Sequence, residues 1–209
     1  SLGRRGVHTV VATADTGAPE LRSRFCDEHA PLPPHDDDLL AYRDALLDLA
    51  ARPDVRTILP TREVDVYVLS RYRDAFAEHV SVPVPEPDLL ETVHDRLALA
   101  EAAAAADVPV PETRLLTEIG DWRPPRIVKS RYNLLTGAYV DRLDDHEARE
   151  VKTVTHLDPG EAPAVAALCE AAGHVPIAQP YVRSEAEYMV AALYDHGEPL
   201  ATFQHRQIR

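Results

Sequence analysis

The chain has 209 residues, a length that suits one large domain or two small ones, and 45% of them are hydrophobic, enough for a core. Acidic side chains outnumber basic ones 35 to 22, a formal net charge of −13. That excludes a general nucleic-acid binder, whose footprint is a basic patch or stripe. No apolar stretch approaches the roughly 20 residues of a membrane span, and the Ser-Leu-Gly-Arg-Arg-Gly start lacks the apolar core of a signal peptide. Two cysteines, Cys26 and Cys169, make neither a disulfide scaffold nor a zinc cluster. A soluble, cytoplasmic protein is expected. Its basic residues are 20 Arg and only two Lys, Lys129 and Lys152. A Lys-poor acidic surface suits a halophilic protein, whose self-repulsion salt screens. An ordinary acidic protein of a GC-rich genome is the alternative.

In chain order, Ser1 to Arg5 reads as the tail of a helix with Gly6 as its punctuation. The β-branched run Gly6 to Thr13 reads as a strand. Leu39, Leu40, Leu46, Leu47 and Ala50 recur at a helical period and predict a helix over Asp37 to Ala51. Asp36-Asp37-Asp38 precedes it, where carboxylates complement the helix dipole, and this reading is preferred to a metal site. Val55 to Leu59 reads as a strand stopped by Pro60, Val64 to His79 as a helix, and Val80 to Val84 as a short strand interrupted by Pro83. This alternation predicts a parallel sheet covered by helices.

Asp88 to Asp107 predicts a helix that Val108-Pro109-Val110-Pro111 stops. Arg126 to Ser130 is a strand bearing Lys129, followed by a turn at Thr136-Gly137 and a strand at Ala138 to Val140. Glu161 to Ala172 is an alanine-rich helix ended by Gly173. Three strands follow, over Ile177 to Val182, Tyr188 to Tyr194 and Leu200 to Gln207, the last two joined as a hairpin through Asp195 to Pro199. The second half is therefore expected to be antiparallel α+β.

A scan for catalytic motifs finds no Gly-x-Ser-x-Gly, P-loop, Gly-x-Gly-x-x-Gly or His-Glu-x-x-His, and the ten histidines lack metal-ligand spacing. The order of elements says more. A parallel sheet precedes a helix opening His94-Asp95-Arg96. Val108-Pro109-Val110-Pro111-Glu112-Thr113, a strand with Lys129, the segment Gln179-Pro180-Tyr181-Val182 and Glu187 then follow. Each piece is weak alone; the ordered set resembles the ATP-grasp superfamily, of the carbamoyl-phosphate-synthetase-like carboxylate–amine ligase type, over nearly the whole chain.

That resemblance implies an α/β fold with a Rossmann-like preATP domain at residues 1–88 and a linking helix and connector at 89–125. An ATP-grasp lid at 126–182 and the start of the catalytic subdomain at 183–209 complete it. It implies ATP and Mg2+ as cofactors, small-molecule carboxylate and amine substrates, an acyl-phosphate mechanism and no nucleic-acid or membrane partner; a homodimer is possible. Lys129 would contact the nucleotide phosphates, and its place in a β-branched strand fits, because a buried ammonium needs an anion. The alternative is a strand-edge Lys reaching solvent. Arg96 stands where the family has Lys and keeps the charge with bidentate geometry; otherwise it is a solvated helix residue pairing with Asp95 or Glu101.

Gln179, Pro180, Tyr181 and Val182 resemble the hinge whose backbone pairs with adenine. Pro180 removes one N–H, so Val182 is expected to supply the donor. Glu187 would accept from the ribose hydroxyls, with Glu185 as its competitor. Arg206 and Arg209 are candidates for a clamp on the γ-phosphate or a carboxylate substrate, or simply a polar chain end.

Two departures from the family stand out. The lid loop is usually glycine-rich, yet Ser130 to Asp141 holds only Gly137, so closure is expected to use Arg131, Asn133 and Thr136. The Glu and Glu-x-Asn that hold magnesium, and the first strand with its glycine-rich turn, have no counterpart. The chain is thus expected to be truncated at both ends, binding nucleotide without turnover. Two alternatives stay open: a non-catalytic nucleotide-binding or sensing protein of the same fold, and a nucleotide-sugar or NAD-type Rossmann protein, which the missing glycine fingerprint disfavours.

Overall fold

The computed structural model describes residues 2–207. Leu2 leads into a 3-10 turn over Gly3–Arg5, and Gly6 closes it in the left-handed region at φ 75°. Two short strands then pair in parallel, β1 (Val10–Thr13) and β2 (Glu28–Pro31), with Val10 opposite Glu28. Helix α1 (Leu39–Ala50) buries Leu39, Tyr42, Leu46 and Ala50, one face at three- and four-residue spacing. Asp38 caps it, accepting from the Leu40 and Ala41 amides at 2.9 and 3.1 Å. The predicted helix over Val64 to His79 is two pieces, α2 (Glu63–Arg71) and α3 (Arg73–Ala77), separated at Tyr72.

The strands expected at Val55 to Leu59 and Val80 to Val84 do not form as ladders. They meet only in one parallel bridge, Thr57 to Ser81. Pro60 follows the first segment directly and Pro83 interrupts the second, and a proline has no amide to give a ladder. The predicted Asp88 to Asp107 helix is likewise two helices, α4 (Pro87–His94) and α5 (Arg96–Ala105), broken at Asp95. Among the described residues, no helix is long and apolar enough to cross a membrane.

The second half is antiparallel, as its pattern implied. In chain order come β3 (Arg114–Leu115), β4 (Arg126–Lys129), β5 (Leu134–Thr136), β6 (Ala148–Glu150), β7 (Val154–Leu157), α6 (Val165–Ala172) and β8 (Ile177–Pro180). Four of these strands form one sheet in the order β3-β8-β4-β7, every neighbour antiparallel. Helix α6 covers one face: Val165 and Leu168 pack on a small core of Leu116, Val128, Leu157 and Ala178. A strand was expected at Ala138 to Val140, but that segment is a turn, because Tyr139 and Val140 both donate to the Thr136 carbonyl at 3.0 Å.

The segment after β4 does not stay with its sheet. Strands β5 and β6 pair with each other, and Leu134 and Ala148 are members of the larger core built from α1, α2 and α3. Leu134 is 1% exposed, and burying a leucine is worth about 1.5–3 kcal/mol. That burial docks the post-β4 loop on the front helices. The hairpin β9 (Tyr188–Asp195) and β10 (Glu198–Arg206) is a separate sheet, turned by His196 and Gly197 at φ 47° and 86°. Two positive φ values in a two-residue loop match the twist of the flanking strands.

Candidate nucleotide site

Lys129 closes β4, the strand flanked by β8 and β7, opposite Ile177 and Val154. Side chains alternate across a strand. Val128 points into the core under α6, so Lys129 lies on the opposite face, away from that helix. Cross-strand partners share a face, which adds Gln179 and His156, both opposite Ile127. The Lys129 ammonium has no ion pair or hydrogen bond among the described residues.

Gln179 and Pro180 end β8, opposite Ile127 and Arg126 of β4, and Tyr181 and Val182 follow directly. The Gln179 amide donates to Thr113 Oγ1 at 2.9 Å. Pro180 has no amide, and the Tyr181 N–H is spent on the Pro125 carbonyl at 3.0 Å. The Val182 N–H has no partner among the described residues and Val182 is 63% exposed, which leaves it as the outward donor of this segment. Tyr181 is 43% exposed and meets His156 edge-on, with ring centroids 5.4 Å apart. His156 is a residue that sequence reasoning passed over, because the strand register that sets it opposite Ile127 is not visible in the sequence. Glu187 is half-buried just before β9, its carbonyl accepting the Gln207 N–H at 2.8 Å.

Arg96 is not directed at an open site. Its guanidinium donates to the Ser130 carbonyl at 2.5 Å and to Asn133 Oδ1 at 2.6 Å. Burial pulls its pKa down, partly opposed by Glu63. Neither Asp95 nor Glu101 is its partner. Asp95 instead accepts at Oδ1 from the Leu97 and Ala98 amides and from Arg131 Nε, and at Oδ2 from Arg131 Nη2 and the Tyr132 hydroxyl. Burial raises its pKa, but the Arg131 hydrogen bonds and charge lower it further, so it sits below the ordinary carboxylate value. The same carboxylate pushes Tyr132, already raised by burial, up to about 12.

The residues expected to close a lid are therefore committed elsewhere. Arg131 is paired with Asp95, and Asn133 also donates to Glu63 at 2.9 Å. Thr136 is buried in β5. The physical reason is the docking of β5 and β6 on the front core, which turns this segment inward. Its one glycine, Gly137, serves packing: a Cβ there would meet the Leu143 carbonyl at 3.0 Å. Arg206, opposite Tyr188 in the exposed hairpin, is not gathered with Lys129, and Arg209 lies outside the described residues. Among the described residues no group of three metal-ligating side chains is brought together.

The fold is shared with solved N5-carboxyaminoimidazole ribonucleotide synthetases. Three such structures illustrate the likeness. One is the ADP complex of PurK, at 18% identity and a TM-score of 0.62, with 96% of this chain and 48% of that chain covered. A second, from Aspergillus clavatus with ATP, is 17% identical at a TM-score of 0.63, with 99% and 49% covered. A third, from Staphylococcus aureus with ADP, is 16% identical at 0.54, with 86% and 42% covered. The chain thus spans about half the length of the structures it matches. No family model matches the sequence, nor does any curated protein.

Proposed function

We propose that the chain is the ATP-binding part of an ATP-dependent carboxylate–amine ligase, with a Rossmann-like front at residues 1–88, a connector at 89–125, a lid at 126–182 and the start of a catalytic subdomain at 183–209. The observation that carries this reading is Lys129: an ammonium without an internal partner among the described residues, on the sheet face opposite α6, near a segment whose outward amide is Val182. Three solved neighbours of the same fold are complexes with ADP or ATP. Lys129 binds the nucleotide phosphates, Gln179 to Val182 the adenine edge, and Glu187 the ribose.

Arg96 acts behind the site, holding the Ser130 and Asn133 loop, rather than on the phosphates. Arg206 and Arg209 stay assigned to a clamp on the γ-phosphate or carboxylate substrate. The γ-phosphoryl group of ATP would transfer to a small-molecule carboxylate with release of ADP, and an amine, losing a proton, would displace phosphate from the acyl phosphate to give the C–N bond. No side chain is assigned to the magnesium that accompanies ATP, because the described residues gather no ligand set for it. The 209 residues alone are expected to bind without turnover.

The test is calorimetric titration of the folded chain with MgATP and, separately, NAD. Saturable binding of ATP and none of NAD is expected. NAD binding without ATP binding would overturn the reading in favour of a dinucleotide-binding protein.

A further inference from the structure

The backbone that follows Lys129 is fastened by an imidazole that the nucleotide reading does not use. His174 comes directly after Gly173, which ends α6 in the left-handed region at φ 79°. Its Nδ1 lies 2.8 Å from the Ala172 carbonyl and its Nε2 lies 2.8 Å from the Arg131 amide. A carbonyl only accepts, so Nδ1 carries the hydrogen; an amide N–H only donates, so Nε2 carries the lone pair. The two partners together select the neutral Nδ1–H tautomer. The Tyr132 N–H approaches the same Nε2 at 3.5 Å. An imidazolium has N–H groups on both nitrogens and would set one donor against another at Arg131.

The surroundings oppose a second charge. Arg131 stands beside the ring, Arg142 lies against Gly173 from the turn before β6, and Arg96 comes from α5. Tyr132 meets the ring edge-on, with centroids 5.6 Å apart. Asp95, the carboxylate of this network, is taken up by Arg131 and the Tyr132 hydroxyl. Burial pulls the His174 pKa down, the Ala172 carbonyl pulls it up, and the three arginines pull it down again, leaving it below the ordinary histidine value.

We propose that neutral His174 is a positioning residue for nucleotide binding: it clamps the Arg131 backbone two residues after Lys129, and its protonation opens that clamp. The clamped segment carries both Arg96 acceptors, the Ser130 carbonyl and Asn133 Oδ1, and Ser130 Oγ also holds Thr153 at 2.7 Å. Opening it loosens the end of β4 from α5 and β7 together. The link to nucleotide affinity rests on the function proposed above; the clamp itself does not.

The experiment uses the whole chain as wild type and as His174→Gln, whose amide offers the same acceptor and donor but does not titrate. Nitrogen shifts of the His174 ring report the tautomer, amide exchange at Arg131 reports the clamp, and MgATP titrations report affinity, each from about pH 8 to about pH 5.5. The Nδ1–H tautomer is expected at high pH. Arg131 protection, corrected for intrinsic exchange, is expected to fall about tenfold per pH unit once His174 titrates. Wild-type affinity should weaken on acidification by about tenfold more than that of His174→Gln, whose profile carries only the nucleotide's own titration. An Nε2–H tautomer, or parallel profiles for the two proteins at Arg131, would overturn the clamp. No ATP binding at any pH with the Arg131 profile as expected would uphold the clamp and overturn the nucleotide coupling with the functional reading. ATP binding with parallel affinity profiles would overturn the coupling alone.

Discussion

Replacing Asp95 by asparagine and by alanine separates its two jobs. Its side chain is 8% exposed and caps α5 while it neutralises Arg131, which is 29% exposed. Asparagine caps as well as aspartate does, so Asp95→Asn reads the lost charge on Arg131 and Tyr132. Charge-assisted hydrogen bonds are worth about 1.5–3 kcal/mol, and partial exposure of Arg131 screens the pair toward the lower end, about 1.5 kcal/mol. Alanine also loses the cap, about 1 kcal/mol more, for a total of about 2.5 kcal/mol. Urea unfolding at neutral pH measures both, with the midpoint falling and the slope unchanged. Because the folded-state pKa of Asp95 is lowered, its contribution is full above about pH 4 and disappears as pH falls through the folded value, so wild type and Asp95→Asn converge in acid. If both variants lie within about 0.5 kcal/mol of wild type, as ordinary surface changes do, Asp95 is not the joint between α5 and the loop after β4.

Two further outcomes follow from the packing. Leu134→Ala, at a 1% exposed site in the larger core, is expected to cost about 2–5 kcal/mol in chemical denaturation; a cost near zero would show that β5 and β6 do not dock on the front helices. The β9–β10 hairpin exposes every residue of both strands, and a two-stranded hairpin is at best marginal in water. Its amides are expected to exchange faster than those of β4, and equal protection would contradict an uncovered hairpin.

The sequence made visible whatever rests on local chemistry. The β-branched Ile127-Val128 beside a rare lysine pointed to β4, and the aromatic and branched runs around His196-Gly197 pointed to the hairpin. Strand β2 was invisible because Glu-His-Ala-Pro has no strand-forming pattern; it pairs only because β1 lies alongside. The break between α4 and α5 was hidden from the apolar period for the opposite reason, although the ordered motifs placed a helix start at His94-Asp95-Arg96. The apolar period runs through Asp95 without interruption, and what fixes Asp95 as a cap is a pair of side chains 36 and 37 residues away. The same distance problem hid the fate of Arg96, which a residue-by-residue reading leaves facing a phosphate. Lys129 was legible as a candidate because its surroundings are local; the fastening of its loop by His174 and Asn133 was not.

The most direct test is equilibrium binding of MgATP to the wild-type chain and to Lys129→Met. Because the ammonium has no internal partner among the described residues, the substitution should leave the unfolding midpoint where it is. Saturable binding by wild type that falls at least tenfold in Lys129→Met, about 1.4 kcal/mol or more, is the predicted result. Equal affinity in the two proteins, or no binding by a folded wild-type chain, would contradict the account.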